Sequence, residues 1–433
     1  MSFGGLALER APPLSVPGRF FVSAPVYGLA AALSVLYLGP SALESRWLPA
    51  TAGVVHLVTL GVLTMSMCGA WMQLLPVLVG APVARPRGVS LAVHALLALG
   101  AAALPAGLVL GWRFALQLGG IALAAALIVF LGAAAHALAR AGARHATATG
   151  MRLALAALAA TLVLALLVLF PRAFPGAGVF APPVALHVVW ATVGWVGLLV
   201  ISVALQVVPM FQMTPEYPRV LARYLVPALF VLLVLYSVGH ALPGTGLREA
   251  SSALLALGLA VFAAVTLRLQ GRRRRRVPDV GVGYWRLGML SLLACAALWH
   301  AGLLLPRLAA DARFPVLIGV LYLAGFSVAV VIGMLYRIVP FLVWLHLHQL
   351  RIRLGPGRGV DVANLPNVKQ VIPEARMRLQ WRVFAAGYAL LLAGTLVPGA
   401  PVRAGAAMLA AAFVLLARDL IAALRLYRRL ASA

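Results

Sequence analysis

Charge is what this sequence has least of. Only 10% of its 433 residues are Asp, Glu, Lys or Arg, while 64% are hydrophobic. A soluble domain covers its surface with about 25% charged residues, so the composition excludes a protein solvated mainly by water. Acids are the scarcer sign, nine against 35 basic residues, which leaves a formal net charge of +26. That excess does not mark a nucleic-acid binder, because the arginines stand in short loops between apolar runs, where the positive-inside rule and anionic lipid both favour them. Cysteine is nearly absent. The two present, Cys68 and Cys295, fall inside apolar runs, which excludes a disulfide framework and a CxxC site and makes them inert buried thiols. No cleavable signal peptide is expected either, since Glu9, Arg10 and Arg19 precede an apolar run without an evident small-residue cleavage site.

What remains is long apolar runs, with a mean hydropathy of +1.03. A spanning helix needs about 20 such residues. Runs of that kind lie near 20–40, 50–80, 90–112, 114–139, 151–171, 184–214, 220–242, 250–270, 285–305, 314–345, 380–398 and 404–427. The fold expected is therefore an all-α polytopic membrane protein of about twelve transmembrane helices, the third and fourth joined by a tight turn at Gly111, Trp112 and Arg113. Alternate loops differ in charge. One set holds the N-terminus, Arg85, Arg87, Arg140, Arg144, Arg152, Arg219, Arg223, the Arg272–Arg276 run, the 346–379 loop and the tail with Arg425, Arg428 and Arg429. The other set is far less basic, so the first set and both termini are expected in the cytoplasm of a bacterial inner membrane.

Three of the runs are unusually long and alike. Aligned on Pro76, Pro209 and Pro340, they share Gly61, Gly194 and Gly325 fifteen residues upstream and a polar residue, Gln73, Gln206 or Arg337, three upstream. The prolines recur every 133 and 131 residues, and each period holds four spans. Three pseudo-repeated four-helix units, approximately 20–142, 151–270 and 285–427, therefore make up a single transmembrane domain. The glycines would let a neighbouring backbone or a flat ligand approach. The polar residues would help satisfy carbonyls freed by the prolines.

Twelve helices in three four-helix arcs resemble subunit I of the haem-copper oxidases. The resemblance covers nearly the whole chain in topology, and its motifs only in part. His56 opens the second span and His187 the sixth; His240 ends the seventh and His300 the ninth, all on the expected periplasmic side. An imidazole there is costly unless paired, hydrated or metal-bound. The resemblance implies His56 as an axial ligand of a haem, His187 and His240 as a copper pair, and His300 as a further metal ligand contributed by the ninth span. Tyr236, four residues before His240, shares its helix face, as a packing residue or a redox tyrosine. The other five histidines, His94, His136, His145, His346 and His348, are expected to snorkel or hydrogen-bond rather than ligate. Met65, Met67, Cys68 and Met72 form a soft, sulfur-rich segment that serves as interface filler or as soft-metal ligands.

The departures from the family are specific. Its tenth helix supplies two histidines, whereas Ile318 to Tyr322 has none here, and the seventh has one in place of adjacent pairs. No acid or lysine is expected at a span centre; Glu9, Glu44, Glu216, Glu249, Asp279, Asp311, Asp361, Glu374 and Asp419 are read as lying near helix ends or in loops. Carboxylate proton channels, and with them proton pumping, are not expected. The function implied is that of a degenerate relative, as in haem- and copper-containing membrane proteins associated with nitric-oxide resistance. It would bind haem, with copper as a second cofactor, and act in electron transfer or the handling of O2 or NO. Partners would be the bilayer and other respiratory or cytochrome subunits. Two alternatives stand beside it: a cofactor-free transporter, and a non-catalytic oxidase-like subunit or assembly factor.

Overall fold

A computed structural model of the chain describes residues 8–141, 145–174, 182–274, 277–354 and 365–432. Arg144, Arg275, Arg276, Asp361 and the middle of the expected 346–379 loop lie outside the described residues. Among the described residues there is no strand. Twelve long helices follow one another: α1 Ser15–Leu38, α2 Pro49–Val79, α3 Pro86–Leu110, α4 Arg113–Arg140, α5 Ala146–Ala173, α6 Val184–Gln212, α7 Arg219–Ala241, α8 Leu247–Gly271, α9 Val280–Leu304, α10 Phe314–Ile352, α11 Glu374–Leu396 and α12 Ala400–Ser432. All but α11 are long and apolar enough to cross a membrane. Helix α11 has 23 residues, but Glu374, Arg376, Arg378 and Arg382 charge its opening turns. Gly111 makes the expected tight turn between α3 and α4 in the left-handed conformation, at φ 68°.

Burial separates the three long helices from the rest. The most apolar stretches of α2, α6 and α10 are 89%, 61% and 67% buried, against at most 44% in the other spans. A helix apolar on every face is stable inside a bundle, so these three form an inner trio with nine helices outside. Successive helices pack on one another, and α12 returns to pack along α1, which closes the ring. The fourth helix of each unit leans on the first helix of the next: α4 on α5, α8 on α9, α12 on α1. The three-unit architecture is thus present in the packing as well as in the sequence.

The inner helices share a further feature. Each changes from α to π winding over a short stretch at an equivalent place: Leu57–Thr64 in α2, Trp190–Gly197 in α6 and Val320–Val328 in α10; α2 adds a second such stretch at Leu75–Val79. The three equivalent stretches begin nineteen, nineteen and twenty residues before the respective prolines. π-winding leaves carbonyls off the regular ladder and gathers at functional sites. Here, side chains of the neighbouring inner helices bind across the trio. The Tyr322 hydroxyl donates to the Thr192 carbonyl at 2.9 Å, and the Trp195 indole donates to Thr64 Oγ1 at 3.3 Å.

Two expectations change and a third is extended. The loop expected over 346–379 is shorter, because the inner helix runs on to Leu354 and α11 starts at Glu374. Asp419 is not near a helix end. It lies well inside α12, 1% exposed, accepting from the Tyr336 hydroxyl and the Arg418 guanidinium. Helix α12 runs on to Ser432, beyond the apolar run at 404–427, which leaves Asp419 far from its end. Arg337 forms an ion pair with Asp279, the residue that caps α9, a partner added to the role expected of it at the proline-freed backbone. Cys68 and Cys295 are free and buried, as expected.

Candidate functional site: an imidazole pair between inner helices

Helix α2 carries His56 immediately before its π-segment, and α6 carries His187 three residues before its own. The two rings face each other across the α2–α6 interface. Their planes lie within 9° of parallel and their centroids 6.3 Å apart. The His56 Nδ1 donates to the Ala52 carbonyl at 2.7 Å. A carbonyl only accepts, so this bond fixes the tautomer and leaves Nε2 with the lone pair. In His187 the Nδ1 is instead buried with no hydrogen-bond partner.

The remaining candidates stand apart from this pair. His240 and His300 are half-buried near the ends of α7 and α9, each with Nδ1 on the carbonyl four residues back, Tyr236 at 3.1 Å and Ala296 at 2.8 Å. Tyr236 meets the His240 ring edge-on at 4.7 Å. Among the described residues no group of three His, Cys, Asp or Glu comes close enough to hold a metal ion. Four of the five other histidines make structural contacts. His94 bonds Ser23 at 2.8 Å, His145 caps α5, His346 lies 3.0 Å from the Pro12 carbonyl, His348 stacks on Trp344, and His136 is exposed.

Two cavities border the inner trio. One, of about 150 Å³, lies between α1, α2, α10, α11 and α12. Helix α2 contributes Thr51, Val54, Val55 and Val58 to its wall, and Arg46 is the charged residue there; His56 points elsewhere, towards α6. The other, of about 70 Å³, lies where α2, α6 and α10 converge, some ten residues further along α2. The sulfur-rich segment contributes Met67 to that wall, while Met65, Cys68 and Met72 are buried in packing.

The donor set can be tested against the cofactors expected. Copper suits imidazole donors, and among the described residues two imidazoles stand together with no third His, Cys, Asp or Glu beside them. Haem brings its own four nitrogens and asks the protein for one or two axial ligands. Two facing imidazoles, one with an orphaned buried nitrogen, fit that requirement. The partnership itself is not legible in the sequence, where His56 and His187 stand at unequal distances, twenty and twenty-two residues, before their prolines. No protein-family model matches this chain, and comparison with curated proteins finds no similar sequence.

Proposed function

We propose that this chain is a haem-binding membrane protein of the oxidase-like type, serving electron transfer or the handling of a small gas such as O2 or NO. The observation that carries this reading is the parallel pair His56 and His187 with its buried, partnerless Nδ1. The residues that would hold the iron are these two imidazoles, one from α2 and one from α6. Bound there, haem would supply reversible one-electron chemistry and a site for a diatomic ligand when one imidazole lets go. The protein's own part is to orient the rings. Ala52 sets the tautomer of His56, and the Trp195–Thr64 bond locks α6 to α2 just below the pair. The face bearing the N-terminus, dense in arginine, would be cytoplasmic, with respiratory or cytochrome subunits as partners in a bacterial inner membrane.

Protein purified in membrane mimetic from a haem-replete host should show a Soret band of the six-coordinate, bis-imidazole kind. His56→Ala and His187→Ala should each weaken or shift it, while His300→Ala should leave it unchanged. A second reading is favoured by the absence of a third ligand among the described residues: an oxidase-like scaffold or assembly subunit without metal. Wild-type protein that carries neither haem nor copper under those conditions would sink the first reading and leave the cofactor-free ones.

A further inference from the structure

The larger cavity lies where the ring of outer helices closes, between α12 and α1, with α2, α10 and α11 completing its wall. Along α1 the wall runs from Gly28 to Val35 and along α2 from Thr51 to Val58, about 10 Å in each case at the helical rise. Its volume is about 150 Å³. That volume over that length admits one alkyl chain and is too thin for two. Ala42, Leu43 and Arg46 of the α1–α2 loop form one end. Towards the other end the Phe413 ring lies so close to Gly28 that a Cβ there would overlap it.

The body of this cavity is apolar. Thr51 carries the one hydroxyl in the wall, and it already donates to the Ala42 carbonyl at 2.9 Å. No lining residue holds a buried polar atom without a partner. Water needs two or more polar partners to occupy such a space, and an empty void of this size is costly. The mouth has a different chemistry. Arg46 is exposed, rests over the Trp47 ring at 4.5 Å and makes no ion pair among the described residues. The Arg403 guanidinium lies against Gly39 in the same loop, whose one acid is Glu44. Positive charge is therefore in excess where the cavity opens.

We infer that this cavity binds a medium-chain fatty acid anion, its alkyl tail inside and its carboxylate at Arg46. A dry cavity of about 150 Å³ takes up benzene, a six-carbon body, so a tail close to that of octanoate fits. The paired long tails of a phospholipid do not. Burial of the tail supplies the affinity, and the guanidinium selects the sign of the head group. The inference is independent of the imidazole pair, because His56 faces α6 and does not line this cavity. Either can fail without the other.

The test is thermal unfolding of the full chain in nanodiscs of zwitterionic lipid, read against free ligand concentration. Octanoate should raise the midpoint in a saturable way, and octylammonium, with the same tail and the opposite charge, should not. From butanoate through hexanoate to octanoate the half-saturating concentration should fall about fourfold per methylene. Arg46→Gln should raise that of octanoate about threefold, the scale of an exposed ion pair, and leave that of octanol unchanged. A Cβ on Gly319, which lines the cavity, meets nothing within 4 Å. Gly319→Leu and Ala32→Leu both fill the space, and each should abolish the shift. The inference is overturned if octanoate gives no saturable shift, if octylammonium matches it, or if Gly319→Leu and Ala32→Leu both respond like wild type.

Discussion

The three repeat glycines show how unequal equivalent residues become once packed. A Cβ on Gly61 would overlap Cβ and Cγ of Tyr27, whose hydroxyl is held on the Ala98 carbonyl at 2.7 Å. A Cβ on Gly325 would overlap the Tyr388 hydroxyl and Ser291 Oγ, which bond each other at 2.9 Å. At Gly194 the nearest atom is the Ala157 Cβ, 3.0 Å away. What approaches these glycines is therefore neighbouring side chains, and a flat ligand is not needed to explain them. Overpacking costs about 1–3 kcal/mol where neighbours cannot yield. Gly61→Ala should lose stability on that scale, and Gly194→Ala less than about 1 kcal/mol. Unfolding in mixed micelles measures both, and the reverse order would refute this account. The same scale explains Asp419. Buried carboxylates persist when paired, and Tyr336 and Arg418 both bind this one.

At the scale of elements, the π-segments turn the inner helices so that their polar groups meet one another. Tyr322 stands in the π-segment of α10, and its hydroxyl satisfies the Thr192 carbonyl in the π-segment of α6. Tyr322→Phe should leave that carbonyl unpaired and cost about 1 kcal/mol, the scale of intramembrane hydrogen bonds. Equal unfolding of variant and wild type would show that the freed carbonyl finds another partner. Helix α11 illustrates the opposite design. Its charged opening turns match a membrane boundary, with Arg378 and Glu374 paired at 3.2 Å on its exposed face, and its apolar remainder packs along α12.

The whole molecule has two faces of different character. Arg10 donates to the Gly80 carbonyl at 3.0 Å, and His346 lies beside Pro12 and Tyr427. The N-terminal segment, the α2–α3 turn, the end of α10 and the end of α12 therefore share one face, as an even number of crossings requires. Arg274, whose backbone N–H donates to the Met213 carbonyl at 2.9 Å, joins two further basic loops of the same set. A cysteine at Arg274 should resist an impermeant thiol reagent applied outside intact cells, and one at Arg113, in the α3–α4 turn, should react. Reaction at Arg274 with protection at Arg113 would invert the molecule and place the imidazole pair on the cytoplasmic side.

The run lengths, the prolines at near-equal spacing and the alternation of arginine along the chain carry the helix count, the three units and the identity of the inner trio. These are local or periodic properties, and burial in lipid or protein follows directly from an apolar run of sufficient length. The chemistry of the interior is of another kind. His56 and His187 stand two residues out of register in the repeat, yet their rings lie parallel. Ser66, Trp71 and Trp285 look like ordinary members of apolar runs, yet all three line the cavity where α2, α6 and α10 converge. Where a side chain points depends on helix tilt, on the local π-winding and on which neighbour fills the adjacent space. Those are set by packing among residues more than a hundred positions apart, so tertiary structure alone decides which polar groups meet.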